Sequence, residues 1–180
     1  LEAINLVTKT SDKNGSYFLD YSALNTRHLG HVYEHLLEFH LEVVDGKIKD
    51  LPDPTERKLT ASYYTPQYIV DYIIENTLEP EISRIQKESD SAQVIEKLLS
   101  LKILDPAMGS GHFLVTATNY LARRICEIEE NENKKNYNER QRDVVRKCIY
   151  GVDLNALAVD LAKVALWLET LSSDKPLSFL

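Results

Sequence analysis

The stretch 101–115 constrains this chain more than any other, because an apolar run, a glycine turn and a helix start follow one another there. The apolar run predicts a short buried strand that ends at Asp105 and Pro106. Two glycines then flank Ser110, where the backbone must turn sharply or approach a ligand closely. A strand that ends in an acid and is followed by a glycine turn and a helix amino terminus can hold a small polar molecule.

A second strand of the same kind is predicted at 148–153 and ends at Asp153. Asn155 is expected to cap the next helix, 156–171, which is apolar on nearly every side and should be buried. An acid in this position suits a nucleoside, because its carboxylate oxygens can accept hydrogen bonds from both ribose hydroxyls. The interval between the two acids exceeds the usual roughly 20 residues. The charged run 127–146 accounts for the excess and is interpreted as a solvated face or loop. The less favoured alternative is an insert that contacts DNA through Lys134, Lys135, Arg140, Arg142 and Arg146, which the acids of the same run offset.

A helix is predicted from Thr65 to Pro80, with Thr65 as its cap and Pro66 at the first helical position. The exposed N–H groups of this helix start and the Thr65 hydroxyl could bind a carboxylate, although a simple capped helix explains them equally well. A charged helix is expected from 81 to 100, and another from about 110 to 130.

The amino-terminal part carries weaker signals. A turn is expected at 11–16, a helix at 22–39 and a hairpin at 41–51 folded about Asp-Gly. The four histidines at 28, 31, 35 and 40 lack the further ligands that would complete a metal site, so no metal is expected.

The run 105–114, Asp-Pro-Ala-Met-Gly-Ser-Gly-His-Phe-Leu, resembles motif I of the S-adenosylmethionine-dependent DNA adenine-N6 methyltransferases of restriction-modification and related phage-defence systems. Residues 58–70 resemble motif X of the same family, and 149–155 resemble motif II. Residues 29–37 are similar to a helix found ahead of motif X in large restriction-modification methyltransferases. Three motifs in the family's order are far more specific than one.

The resemblance implies an α/β fold: a partial Rossmann-like methyltransferase domain at 58–180, preceded by a helical segment with a small hairpin at 1–57. It implies S-adenosyl-L-methionine as cofactor, and Leu154 beside its adenine ring. The implied cofactor-binding residues are Tyr64, Thr65, Pro66, Asp105, Pro106, Ala107, Gly109, Ser110, Gly111, Asp153 and Leu154.

The family holds its flipped-out adenine with an Asn-Pro-Pro-Tyr or Asp-Pro-Pro-Tyr motif. None of the six prolines of this chain forms a Pro-Pro pair, so no catalytic residue is assigned. The chain begins at Leu1 rather than Met, and we expect a fragment whose parent carries the catalytic motif beyond Leu180. The parent is expected to methylate adenine in double-stranded DNA, with a restriction or specificity subunit or domain as a partner.

The net charge of −7, from 28 acids against 21 bases, has the wrong sign for a surface that grips phosphates by itself. DNA contact is therefore expected mainly through parts of the parent outside this chain. The two cysteines show no metal spacing and are expected to be reduced thiols. No signal peptide or membrane segment is evident, which predicts a soluble, cytoplasmic protein without a membrane partner.

Other functions remain open from the sequence. A nicotinamide or flavin site would need a third glycine after Gly111, and a P-loop would need a lysine where His112 stands. The chain could be a non-catalytic cofactor-binding or interaction fragment of a defence complex. A methyltransferase acting on RNA or protein is a further alternative, and in the plainest reading the glycine turn only shapes the fold.

Overall fold

The computed structural model describes residues 9–12, 15–18, 30, 39–44, 47–52, 65–130 and 134–170 of the chain. Its strands are β1 (Lys9–Asp12), β2 (Gly15–Phe18), β3 (Phe39–Val44), β4 (Lys47–Pro52), β5 (Ile103–Asp105) and β6 (Ile149–Gly151). Its helices are α1 (Gln67–Glu88), α2 (Ser91–Leu98), α3 (His112–Ile128), α4 (Lys134–Cys148) and α5 (Ala156–Glu169). No helix within these residues is long and apolar enough to cross a membrane.

The two central strands form a parallel pair, in which Ile103 lies opposite Ile149 and Asp105 opposite Gly151. Parallel strands need a long crossover connection, and α3 and α4 supply it. The described part of the chain is therefore mostly helical around a small parallel sheet, which confirms an α/β arrangement at this coarse level. Both strands lie where the sequence predicts them.

The prediction that the first strand is buried is wrong for one of its faces. Leu104 is 60% exposed and Tyr150, opposite it, is 47% exposed, whereas Ile103 and Ile149 pack against the helical core. Successive side chains of a strand point to opposite faces, and the described helices cover only one of them. Helix α5 is likewise only half covered, since Leu157, Val164, Trp167 and Leu168 are exposed.

The main core lies among α1, α2, α3 and α4. Leu121 and Ile125 of α3 are fully buried there, together with Val70 and Ile82 of α1. A smaller cluster joins α3, α4 and α5 through residues such as Leu114 and Leu166. Because α3 contributes to both clusters, it fixes the glycine turn, which directly precedes it, against the rest of the molecule.

Helix α1 does not end at Pro80, as the sequence suggests, but continues through it to Glu88. An interior proline removes one hydrogen bond and costs about 3 kcal/mol or more. The buried face runs in register across it, from Val70, Ile74 and Leu78 to Ile82 and Ile85. Fully burying each apolar side chain contributes about 1.5–3 kcal/mol, so packing outweighs the local preference.

Residues 134–146 of the charged run belong to helix α4 and not to a loop. Gln141 and Arg142 of α4 are almost fully buried, and Gln141 donates a hydrogen bond of 2.6 Å to Asn119 of α3. Arg140 forms ion pairs with Glu129 at 2.6 Å and with Asp143 at 2.9 Å. Arg140, one of the basic residues of this segment, is therefore paired with acids of the same chain.

The hairpin at 41–51 is confirmed: β3 and β4 pair antiparallel, with Val44 opposite Lys47 and Asp-Gly between them. The turn signal at 11–16 lies within a second hairpin, β1–β2. The predicted helix 22–39 lies outside the described residues except for Gly30, which is helical, and Phe39, which begins β3.

A partly buried ion cluster joins α1 to α3. Glu79 accepts hydrogen bonds from the Tyr120 hydroxyl at 2.8 Å and from Arg124 Nε at 3.0 Å and Nη2 at 2.9 Å. Burial acts to raise the pKa of Glu79, but the hydrogen bonds from Arg124 and Tyr120 outweigh it and hold the pKa below its ordinary value. Burial, reinforced by the bond to Glu79, raises the pKa of Tyr120 to about 12.

We expect Glu79→Gln to make the free energy of unfolding less dependent on pH in the acid range. A carboxyl whose pKa is lowered by folding stabilises the protein above its unfolded pKa, roughly 4.3, and loses this contribution as the pH falls through the folded value. The free energy of unfolding, measured with urea between neutral pH and about pH 3, should therefore fall less steeply with decreasing pH for the variant than for the unchanged protein. Glu96→Gln, at an exposed site on α2, is the control. If the pH dependence of the free energy of unfolding were the same in Glu79→Gln and in this control, the role of the cluster would be contradicted.

Candidate cofactor-binding site

The start of α1 differs by one residue from the prediction. Pro66, not Thr65, occupies the cap position, and its carbonyl oxygen accepts from Ile69 N at 3.0 Å and Val70 N at 3.2 Å. Proline has no side-chain acceptor, so the cap forms no side-chain hydrogen bond. The Thr65 hydroxyl is consequently not used to cap the helix. Tyr64 lies outside the described residues.

The glycine turn is attached to both central strands by backbone hydrogen bonds. Val152 N donates to the Asp105 carbonyl at 2.9 Å, and Met108 N donates to the Val152 carbonyl at 3.0 Å. The Asp105 carboxylate accepts from Ala107 N at 3.0 Å, which fixes the first residues of the turn. The turn therefore lies directly over the carboxyl ends of β5 and β6, the edge where α/β sheets hold ligands.

The two glycines of the turn are required for different reasons. Gly109 has a φ of +53°, and a Cβ built on it would have no neighbour within 4 Å. Gly111 has a φ of +85° and lies so close to α5 that a Cβ would be 2.9 Å from Ala162 Cβ. The turn is thus open on the Gly109 side and closed by α5 on the Gly111 side.

Asp153 is bonded to the same turn. Its Oδ2 accepts from Gly109 N at 2.9 Å and its Oδ1 from Asn155 N at 2.8 Å. A carboxylate has about four lone-pair sites, so each oxygen can accept a further hydrogen bond. Leu154, the next residue, is fully exposed. The sequence missed the Asp153–Gly109 bond, because no local signal relates residues so far apart in the chain.

Asn155 caps α5 as predicted, with its side chain accepting from Leu157 N at 3.0 Å and Ala158 N at 3.4 Å. This cap fixes the backbone just after Asp153. Both predicted strand-end acids therefore sit on short, hydrogen-bonded segments whose backbone is held in place.

A cavity of about 240 Å³ brings the start of α1 next to the start of α3. Gln67, two residues after Thr65, and His112, directly after Gly111, both line it. Asp71 lies in the same wall and accepts a hydrogen bond of 2.5 Å from Gln67. The predicted motif X helix and the glycine turn are therefore neighbours in space.

The arrangement defines the class of protein: an α/β domain with acids at two adjacent strand ends and a glycine turn over them. The model of the family described as MmeI, DNA-methyltransferase domain, matches residues 82–178. That match covers more than half of the chain, and the chain belongs to this family.

The chain is also similar to individual proteins. It is 31% identical to a putative type II restriction enzyme and methyltransferase of Methanocaldococcus jannaschii, over 81% of this chain and 14% of that protein. It is 28% identical to an adenine-specific methyltransferase of Streptomyces coelicolor, over 83% of this chain and 10% of the relative. It is 26% identical to a type II restriction enzyme and methyltransferase of Escherichia coli, over 86% of this chain and 16% of that protein. The chain thus spans only a small part of the length of these relatives.

Proposed function

We propose that this chain is the cofactor-binding part of a DNA adenine-N6 methyltransferase, which transfers a methyl group from S-adenosyl-L-methionine to adenine in restriction-modification or related phage defence. Its membership of the MmeI DNA-methyltransferase domain family supports the class of reaction. The names of the relatives, which include restriction enzymes and an adenine-specific methyltransferase, support the biological setting and the target base.

The observation that carries the proposal is the bond between Asp153 and Gly109 N at 2.9 Å. It joins the acid that follows β6 to the turn at the end of β5, so one pocket edge presents a carboxylate beside the open Gly109 side of the turn. Such an edge matches a nucleoside, and we propose that the sheet is part of a Rossmann-like methyltransferase fold.

The residues present fit S-adenosyl-L-methionine, which supplies an electrophilic methyl group on its sulfonium sulfur. In our proposal Asp153 accepts from the ribose hydroxyls with its remaining lone pairs, and exposed Leu154 lies against the adenine. The turn from Asp105 to Gly111 leaves room at Gly109, where a Cβ would meet nothing. Tyr64, Thr65 and Pro66 are proposed to hold the amino acid end, because the start of α1 neighbours the start of α3.

The adenine and the duplex are proposed to be held by other parts of the parent protein. This chain has no Pro-Pro pair and therefore lacks the base-binding motif, and its net charge of −7 is unfavourable for binding phosphates. Arg140 of α4 pairs with Glu129 and Asp143 of the same chain. We therefore propose that this chain binds the cofactor and that the remainder of the parent protein binds the DNA.

The proposal is tested by separating binding from methyl transfer. Isothermal titration of the 180-residue chain with S-adenosylhomocysteine, the demethylated product, should give saturable 1:1 binding. With labelled S-adenosylmethionine and adenine-containing duplex DNA, the same chain should transfer no label. Absence of binding by both this chain and its parent would refute the cofactor role, and labelled DNA would refute the assignment of the base-binding motif to another part of the parent.

A further inference from the structure

Gly30 connects the amino-terminal segment to the glycine turn. It is buried and helical, and a Cβ built on it would lie 3.3 Å from Ser110 Cβ and less than 3.0 Å from Ser110 Oγ. Real Cβ atoms essentially never lie within 3.0 Å of a neighbouring atom, as this one would of Ser110 Oγ. Residue 30 therefore packs directly on the middle residue of the turn.

The backbone at residue 30 does not itself require glycine. Its φ is not positive, in contrast to those of Gly109 and Gly111. In an ordinary helical conformation alanine is the best residue and glycine among the worst. Space, rather than conformation, is thus the reason for glycine at this position: the side chain of Ser110 occupies the volume that a methyl group would need.

Ser110 has little freedom to move away from Gly30. Gly111 N donates to the Met108 carbonyl at 2.9 Å, and Gly109 N donates to Asp153 at 2.9 Å, so both neighbours of Ser110 are fixed. A larger residue at 30 would have to rotate the Ser110 hydroxyl or push the helix off the turn. Either change alters the surface over the ends of the two central strands.

We propose that Gly30 is a positioning residue of the cofactor site, because it packs on Ser110 in the middle of the glycine turn. This inference rests on the proposed function, because the turn is the place assigned to the cofactor. Gly30 acts through Ser110: it leaves the hydroxyl in the orientation that the bound cofactor meets.

The test is a double-mutant cycle between residues 30 and 110, read by affinity for S-adenosylhomocysteine and by thermal unfolding. Gly30→Ala should weaken binding about tenfold or more, because overpacking a close contact displaces the Ser110 side chain. In a Ser110→Ala background the same substitution should weaken binding by no more than about threefold, since the obstructing oxygen is gone. A substitution that merely destabilises the protein would weaken binding by the same factor in both backgrounds.

Three results are distinguishable. A large loss in the first background and a small one in the second supports the proposal. Equal factors in both backgrounds, or unchanged affinity for Gly30→Ala, overturns it even though the cofactor binds. If the unchanged protein binds no S-adenosylhomocysteine, the proposed function fails together with the positioning role. Coupling in thermal unfolding then still decides whether residue 30 packs on Ser110.

Discussion

Replacing Gly111 with alanine should destabilise the fold by about 2–4 kcal/mol. Two costs combine at this residue. Its φ of +85° lies where side chains other than glycine are strained. Its Cβ would also lie 2.9 Å from Ala162 Cβ and 3.1 Å from Ala162 Cα. Because the second atom belongs to the backbone of α5, no side-chain rotation relieves the contact.

Gly109→Ala is the matched control for this prediction. Its φ of +53° carries the conformational cost, but its Cβ would meet nothing within 4 Å. We expect a loss of about 1–2 kcal/mol in urea unfolding without ligand, clearly smaller than for Gly111→Ala. Equal losses for the two variants would mean that α5 does not pack on the turn as the structure shows.

Asp153→Ala should weaken binding of S-adenosylhomocysteine by about 1–3 kcal/mol, which corresponds to a loss of roughly 5-fold to 150-fold in affinity. The variant removes the proposed acceptor of the ribose hydroxyls. It also leaves Gly109 N and Asn155 N without the acceptors they have at 2.9 and 2.8 Å, so the turn itself should loosen. Titration calorimetry measures the first effect and urea unfolding the second.

Asp153→Asn separates the two roles, because the amide keeps one acceptor oxygen but replaces the other with a donor. We expect Asp153→Asn to recover part of the stability that Asp153→Ala loses, while its affinity for S-adenosylhomocysteine stays low. Asp160→Ala is the control: that carboxylate lies on α5, is 69% exposed and pairs with Lys163 at 3.3 Å. Affinity unchanged in Asp153→Ala would remove this residue from the proposed site.

Much of the candidate site follows from short stretches of sequence. The two central strands, of which β5 ends at Asp105 and β6 ends two residues before Asp153, the glycine turn and the Asn155 cap all depend on residues close along the chain. The Asp-Gly hairpin is equally local. The chain's family was likewise indicated by three motifs, and the family model confirms it.

The sequence predictions that the structure contradicts failed for a common reason. Pro80 is a local stop signal, yet α1 passes through it because its apolar face is covered by distant residues. The charged run 127–146 looks solvated, yet Gln141 is buried because Asn119 of α3 accepts its hydrogen bond. Leu104 looks buried, yet it is exposed because the described helices cover only the other face of the sheet. In each case the missing information was the identity of the neighbour in space.

By itself, then, the sequence determined where the two central strands, the glycine turn and the Asn155 cap lie, since backbone hydrogen bonds and allowed φ angles are settled between residues close along the chain. Only the tertiary structure decided that Asp153 bonds the turn, that α5 closes on Gly111 and that Gly30 packs on Ser110. Those contacts join segments tens of residues apart. Their geometry depends on how whole helices pack, and packing is the sum of many weak contacts that no single stretch of sequence encodes.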